Sequence, residues 1–409
     1  MSLGHGAKIV TKGIAFAYDM GNSKKSWKGK PTTNLLSNGH FSGGNHVSQF
    51  SAGGSYGSYA IDYFPNNPGH SDYVLRQNGG QNGEYEMNVT LAPSTTYTVS
   101  CWVAYSPDSD LNTQILHTRW YYSGGNSTTG GAGTLVETKQ MGELTWERRY
   151  VTFTTNSTAT GAFQWYLGYA TGGTTGFRYF TDLQIEADTS APTPFVDGTR
   201  SNTEALIDWT GNNTITADSL SYNSDGTFSF NGTNTYVNVT GGPSFNMYCL
   251  DFWAYFNNAV PNNDSAIGGP STYQTIITFN NAGTPGVNLG GWTSGASNEA
   301  IHIWSNSGGT SSYNGMTYNR TAVPVGWHNV VFNWNGSNYD IWVDGVKTTI
   351  YVGPNGHAKL QPITSFQLGR NTANYYFNGK ISSTKMYNAQ LNDQEVAQNF
   401  NALRGRYGI

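Results

Sequence analysis

Hydrolysis of a glycosidic bond takes two carboxyl groups across the scissile atom, about 5–5.5 Å apart for retention and 6.5–9.5 Å for inversion. The acids that come nearest to such a pair in this sequence are Glu84 with Glu86, and Glu143 with Glu147. All four read as surface charges at strand edges, because 25 acids spread over 409 residues leave little material for an acidic cleft. The eight histidines, His5, His40, His46, His70, His117, His302, His328 and His357, do not fall at zinc-binding spacings. Neither a G-x-S-x-G elbow nor a phosphate-binding loop ending in G-K-[ST] occurs. These residues predict no enzyme.

Sugar recognition asks for other groups: aromatic rings that lie under the C–H face of a pyranose, and amides or carboxylates that read its hydroxyls. The sequence is rich in both, with 12 Trp and 27 Tyr among 409 residues. Rings in loops, where a core does not already explain them, are the candidates: Tyr273, Trp292, Tyr313, Tyr375 and Tyr376, with Trp27 beside them. Within Ile115–Tyr122 the rings of Trp120 and Tyr122 share one face, opposite Arg119 and Tyr121, so one set must leave the core. Trp120 and Tyr122 are the candidates there, whereas Phe163, Trp165, Leu167 and Tyr169 read as core.

The elements that would carry these groups are strands. Charged residues make up only 11% of the chain, against an ordinary level of about a quarter, while aromatics reach 14% and glycines number 51. That is the composition of short strands joined by hydroxyl- and amide-rich turns. Strand patterns cover Ile14–Tyr18, Tyr97–Tyr105, Ile115–Tyr122, Glu147–Thr154, Ala162–Tyr169, Thr227–Phe230, Tyr236–Val239, Trp327–Trp334, Tyr339–Val343, Val346–Val352 and Lys380–Tyr387. Turns are expected at Asn231-Gly232, Asp344-Gly345 and Asn378-Gly379, and Gly130–Gly133 and Thr171–Gly176 read as loops. One helix is expected near the C-terminus. Asn392 and Glu395 form a capping box, Val396, Phe400 and Leu403 make a stripe, and Gly405 is the stop.

Net charge is −4, so no global field draws the chain to nucleic acid or an anionic membrane. No apolar run is long enough for a membrane helix. Residues 1–30 are the exception in charge, with six lysines against Asp19 alone. Cys101 and Cys249 each sit in an apolar strand pattern and read as buried free thiols. The opening MSLGHGAK lacks the apolar stretch of a secretory leader, and synthesis in a reducing cytoplasm is the expectation.

GWHNVVFNWNGSNYDIWVDGVK (326–347), FQLGR (366–370) and FNGKISSTKMYNAQLNDQEVAQNFNALRGRYGI (377–409), taken in order, resemble the laminin-G-like, concanavalin-A-like sandwich. The closing segment resembles such domains in virion proteins of tailed phages. GIAFAYDMGNSKKSW (13–27) is similar to the opening strand of that group. The element that ordinarily follows within a few residues, here Asp208-Trp209-Thr210-Gly211-Asn212, comes some 180 residues later. Between them, TNLLSNGHFSGG (33–44), YTVSCWVAYS (97–106), FRYFTDLQIEAD (177–188) and TPFVDGTR (193–200) resemble a galactose-binding-like carbohydrate-binding module.

The resemblance thus implies an all-β chain of two jelly-roll β-sandwiches, one inserted in the other, with one short C-terminal helix. An N-terminal arm (1–8) leads into a discontinuous lectin-like domain (9–31 plus 200–409) that carries the insert (32–199). Retaining glycosidases of the concanavalin-like fold carry E-x-D-x-x-E or E-x-D-x-E strands, and neither pattern is present here. The implied function is a non-catalytic phage virion surface protein, a decoration or fibre/appendage subunit that binds host or environmental polysaccharide. Its implied partners are other virion proteins and further copies of itself, with neither nucleic acid nor membrane insertion. A purely architectural capsid or tail protein is the alternative, and a polysaccharide depolymerase a weaker one. The same resemblance admits calcium, with Asp251 and Asp264 as the ligand candidates, though no cofactor is required. Lys8, Lys12, Lys24 and Lys25 are the candidates for anchoring to an acidic virion neighbour.

Overall fold

The computed structural model describes residues 8–22, 25–51, 59–78, 85–109, 116–167, 175–217, 221–222, 227–260, 274–280, 286–289, 300–304, 316–319, 322–352, 360 and 362–409. These residues form an all-β protein with one C-terminal helix. The chain divides into two compact units, residues 1–30 with 202–409, and residues 31–201.

The first unit is a sandwich of two antiparallel sheets. One runs Ser221–Tyr222, Phe228–Asn231, Asn378–Tyr387, Cys249–Phe256, Gly326–Trp334, Tyr339–Val343, Val346–Lys347. The other runs Thr214–Thr216, Val237–Thr240, Phe366–Leu368, Gln274–Phe279, Gly286–Leu289, Ile301–Trp304, Met316–Asn319, Ile350–Val352. Ile14–Asp19 and Phe228–Asn231 divide one edge of Asn378–Tyr387, the former opposite Ser383–Tyr387 and the latter opposite Asn378–Ile381. Residues before and after the second unit therefore share a strand edge. Phe16, Phe230, Leu250, Phe252, Ile277, Val287, Phe332, Phe366 and Ile381 belong to the core of this unit, all at most 1% exposed.

On the outer face of the first sheet lies the helix Asp393–Tyr407. Its capping box is present as expected, with Asn392 accepting from the Glu395 N–H and Glu395 accepting from the Asn392 N–H. Gly405 does not end it. The helix runs on to Tyr407 and Gly408 closes it in the left-handed region (φ 74°). The extra turn has a reason in packing: the Tyr407 ring stacks on Trp253 at 4.3 Å, parallel to within 18°, and Phe400 lies over the same indole.

Two other turn expectations behave differently from each other. Asp344-Gly345 makes the hairpin, both residues at positive φ (51° and 76°), which is the type I′ requirement. Asn378-Gly379 is not a turn but the start of a strand. A β-carbon at Gly379 would run into the Tyr255 carbonyl and the Phe377 ring, so close backbone approach requires glycine there. Val346–Val352 is likewise not one strand, since Val346–Lys347 pairs with Tyr339–Val343 while Ile350–Val352 crosses to Met316–Asn319 in the other sheet.

The second unit is a sandwich of a six-stranded and a five-stranded sheet. The first runs Thr134–Met141, Leu144–Thr154, Thr96–Tyr105, Phe177–Ala187, Tyr73–Asn78, Tyr59–Tyr63, and the second Phe50–Ser51, Tyr85–Thr90, Ala159–Leu167, Leu116–Tyr122, Gly125–Gly131. Gly125–Gly131 was expected to end in a loop, yet all seven residues pair with Leu116–Tyr122. Tertiary pairing overrides a composition in which three of seven residues are glycine and only Thr128 and Thr129 favour strands. Cys101 and Cys249 are free and buried.

Thr32–Thr33 pairs with Thr199–Arg200, so the entry and exit of the second unit lie on adjacent strands, about 5 Å apart. Replacing residues 31–201 with a short Gly/Ser linker is therefore expected to leave a folded remainder with a cooperative calorimetric transition. A linker variant without that transition would refute the independence of the two units.

Candidate functional site

Alternation along the five-stranded sheet sends Tyr85, Met87, Leu116, Trp120, Phe163, Trp165 and Leu167 into the core of the second unit and leaves a polar set on its other face. Cross-strand pairing arranges that set in rows. Glu86 stands opposite Tyr166, which stands opposite His117, and Asn88 stands opposite Gln164, which stands opposite Arg119 and then Thr128. Thr90 and Ala162 form the next pair, and Tyr121 lies opposite Asn126.

The hub of this face is Gln164. Its Oε1 accepts from the Tyr121 and Tyr166 hydroxyls, each at 2.6 Å, and its Nε2 donates to Glu86 Oε1 at 2.8 Å. Arg119 Nη1 donates to the Tyr166 oxygen at 3.4 Å with its guanidinium 5.3 Å from that ring's centre, and the His117 ring lies 5.7 Å from it. Each side chain is thus oriented by a neighbour before any ligand arrives, which is the arrangement a binding face needs. Asn88 and Asn126 are exposed, and their side-chain amides have no hydrogen-bond partner among the described residues. At the Thr90 end opens a cavity of about 500 Å³, lined by Leu35, Gln49, Asn88, Val89, Thr90, Ala162 and Phe163.

Burial, with Arg119 beside it, holds the His117 imidazole below its usual range. Near pH 7 it is neutral, and among its described residues the face carries one cation, Arg119, and one anion, Glu86. Among the described residues of this face Glu86 is the one carboxylate. Of the other acids considered above, Glu147 is bound to Arg149 at 2.6 Å, Glu143 is exposed, and Glu84 lies outside the described residues.

The structure corrects part of the sequence reading. Trp120 is 6% exposed and packed in the core, so its ring has no free face for a sugar. Tyr122 is half-buried against that core, 5.5 Å from Trp120. Of the two sets on this strand, the one facing out is Arg119 with Tyr121. Tyr375 and Tyr376 occupy a turn organised by Asn371, whose Oδ1 accepts from the Tyr375 N–H at 3.0 Å, and the Tyr376 hydroxyl meets Asn374. Tyr273, Trp292, Tyr313, Asp264 and Lys24 lie outside the described residues.

Asp251, a calcium candidate, has both oxygens occupied by protein groups. It is fully buried, with its oxygens held by Asn329, Asn399 and Lys385. No group of three or more His, Cys, Asp or Glu among the described residues could hold a metal ion. Of the lysines, Lys12 is exposed and Lys25 rests on the Trp209 ring, 5.5 Å from its centre. The Lys8 carbonyl accepts a hydrogen bond from Gln398 of the helix, and Val10 is buried. From Lys8 onward this segment is therefore docked rather than free.

A family model described as the concanavalin A-like lectin/glucanases superfamily matches residues 231–397, and that stretch carries a lectin-like fold. No curated protein matches the chain in sequence. Among solved structures, the binding domain of botulinum neurotoxin DC, in complex with rat synaptotagmin II, is similar at 15% identity and TM-score 0.35, over 50% of each chain. The binding domain of botulinum neurotoxin serotype D is similar at 12% identity and TM-score 0.33, over 49% of this chain and 50% of that one. This chain thus spans about half the length of the toxin domains. Domain 4 of an extracellular arabinanase from Geobacillus stearothermophilus, in complex with arabinotriose, is similar at 15% identity and TM-score 0.32, over 49% of this chain and 93% of that one.

Proposed function

We propose that the second unit binds polysaccharide on the outer face of its five-stranded sheet, without cleaving it. The observation that carries this reading is the network on Gln164, which fixes Tyr121, Tyr166 and Glu86 beside the exposed amides of Asn88 and Asn126. Amides, a carboxylate and phenols together offer donors and acceptors to a ring of hydroxyls. The Tyr121 and His117 rings supply apolar surface for the sugar's C–H face. A single opposed pair of charges favours a neutral glycan over a densely charged one. With a single described carboxylate on the face, the two-carboxyl arrangement of glycoside hydrolysis is not assembled there.

The wider role we propose is that of a virion surface protein, with the lectin-like unit as its scaffold. It rests on the resemblance of residues 377–409 to tailed-phage virion proteins. Many copies on one particle would turn a weak site into firm attachment.

Glycan-array screening of the full chain, followed by titration calorimetry, tests the site. Arg119→Ala and Gln164→Ala are each expected to weaken binding by about tenfold or more, the loss of roughly 1.5–3 kcal/mol from a charge-assisted contact or a hub. Asn88→Ala, at an exposed position, is expected to weaken binding with the melting temperature unchanged. Binding untouched by all three places the site elsewhere. A chain that binds no glycan but associates tightly with a capsid or tail protein has the architectural role instead.

A further inference from the structure

The interior of the first unit holds a lysine that no water reaches. Lys385, from Asn378–Tyr387, is 0% exposed, and its Nζ lies 3.5 Å from Oδ2 of Asp251, its cross-strand partner, which is 1% exposed. The same Asp251 oxygen accepts from Asn399 Nδ2 of the helix at 3.0 Å. Asn399 is also 1% exposed. Its Oδ1 accepts from the backbone N–H of Val10 at 2.8 Å, and its Nδ2 also meets the Tyr387 hydroxyl at 2.9 Å. Asp251 Oδ1 is held by Asn329 Nδ2 at 2.8 Å.

An ion pair this dry and this long is a poor source of stability, because desolvating both charges offsets their attraction. The placement suits chemistry better. One carboxylate oxygen touches an amine nitrogen and an amide nitrogen, while a backbone N–H is aimed at the oxygen of that same amide. These are the parts of an acyl transfer: a nucleophile, a proton relay beside it and the leaving group, and a donor for the developing oxyanion. Burial keeps competing water away.

We propose that Lys385 and Asn399 join in an intramolecular isopeptide bond, with Asp251 as the catalytic residue. Asp251 takes a proton from the Lys385 ammonium, and the freed nitrogen lone pair forms a bond to Asn399 Cγ. The oxyanion on Oδ1 is held by the Val10 N–H. The Cγ–Nδ2 bond then breaks, and the departing nitrogen collects the proton held by Asp251 and the second proton shed by Nζ. It leaves as ammonium. Asp251 ends as it began, a carboxylate, and one positive charge goes out for the one that was buried. The product ties the helix Asp393–Tyr407 covalently to the sheet beneath it.

Intact-mass spectrometry of the denatured full chain is expected to read about 17 Da below the sequence mass, the loss of one ammonia. A chain at its full sequence mass overturns the proposal, whatever any variant does. A succinimide at another asparagine would lose the same mass, so a tryptic digest locates the change. Trypsin is expected to skip Lys385, and fragment spectra of peptide 381–404 are expected to keep Lys385 and Asn399 joined. Cleavage after Lys385 with the loss elsewhere overturns the assignment. Lys385→Arg and Asp251→Ala are each expected to restore the full mass, and persistence of the deficit in either counts against this chemistry.

Discussion

Asp208→Ala is expected to destabilise the lectin-like unit by about 3 kcal/mol, the cost of leaving one buried and four part-buried donors without their acceptor. Asp208 is 1% exposed, and five donors converge on it. Oδ1 accepts from the Ala17 N–H at 3.0 Å and the Thr210 N–H at 3.2 Å. Oδ2 accepts from the Thr210 hydroxyl, the Asn213 N–H at 3.2 Å and Asn213 Nδ2 at 2.8 Å. The Trp209 N–H donates to the Ala17 carbonyl at 2.7 Å. Ile14–Asp19 pairs with Asn378–Tyr387 along one edge, and these bonds occupy its other edge, which would otherwise be open. They also join residues 191 positions apart, across the whole second unit. Differential scanning calorimetry of the full chain is expected to lower the transition of the lectin-like unit and leave the other in place. A shift equivalent to under ~0.5 kcal/mol would put Asp208 among ordinary surface positions.

The second large effect is in pH. His302, on Ile301–Trp304, is 0% exposed, and burial pushes its pKa down to about 3. An unfolded histidine titrates near 6.5. Between those values the unfolded chain binds a proton that the folded one refuses, so stability rises with pH and falls on acidification. Above about pH 6.5 the contribution of this group is constant. Below it the lectin-like unit is expected to lose about 1.4 kcal/mol per pH unit, on the order of 4 kcal/mol by pH 3. Chemical denaturation at a series of pH values measures that slope. His302→Gln, which cannot take the proton, is expected to flatten it. Parallel profiles for the two proteins would assign acid sensitivity to other groups.

What the sequence settles by itself is local. The Asn392/Glu395 capping box, the Asp344-Gly345 hairpin and the turn at Asn231, whose Oδ1 accepts from Thr233 and Asn234 N–H groups, involve residues within a few positions of one another. Their conformations follow from their own side chains. Alternation likewise marks Arg119 and Tyr121 as facing away from Trp120 and Tyr122, but both faces hold an aromatic ring, and the sequence does not say which is inside. The core decides, by closing over Trp120 together with Phe163 and Trp165.

Everything that depends on strand pairing is decided only in three dimensions. Gly125–Gly131 is a strand because Leu116–Tyr122 offers it a full ladder, and Gly379 is a glycine because Tyr255 passes close above it. The proposed binding face draws Glu86, Arg119, Tyr121 and Gln164 from three strands whose neighbours are set by the hydrophobic packing behind them. Lys385 and Asn399 lie 134 and 148 positions along the chain from Asp251, whose Oδ2 both of them meet. Hydrogen bonds and acyl transfer act over a few ångströms, a distance that no spacing along an extended chain encodes and that only a closed sandwich with its helix in place supplies.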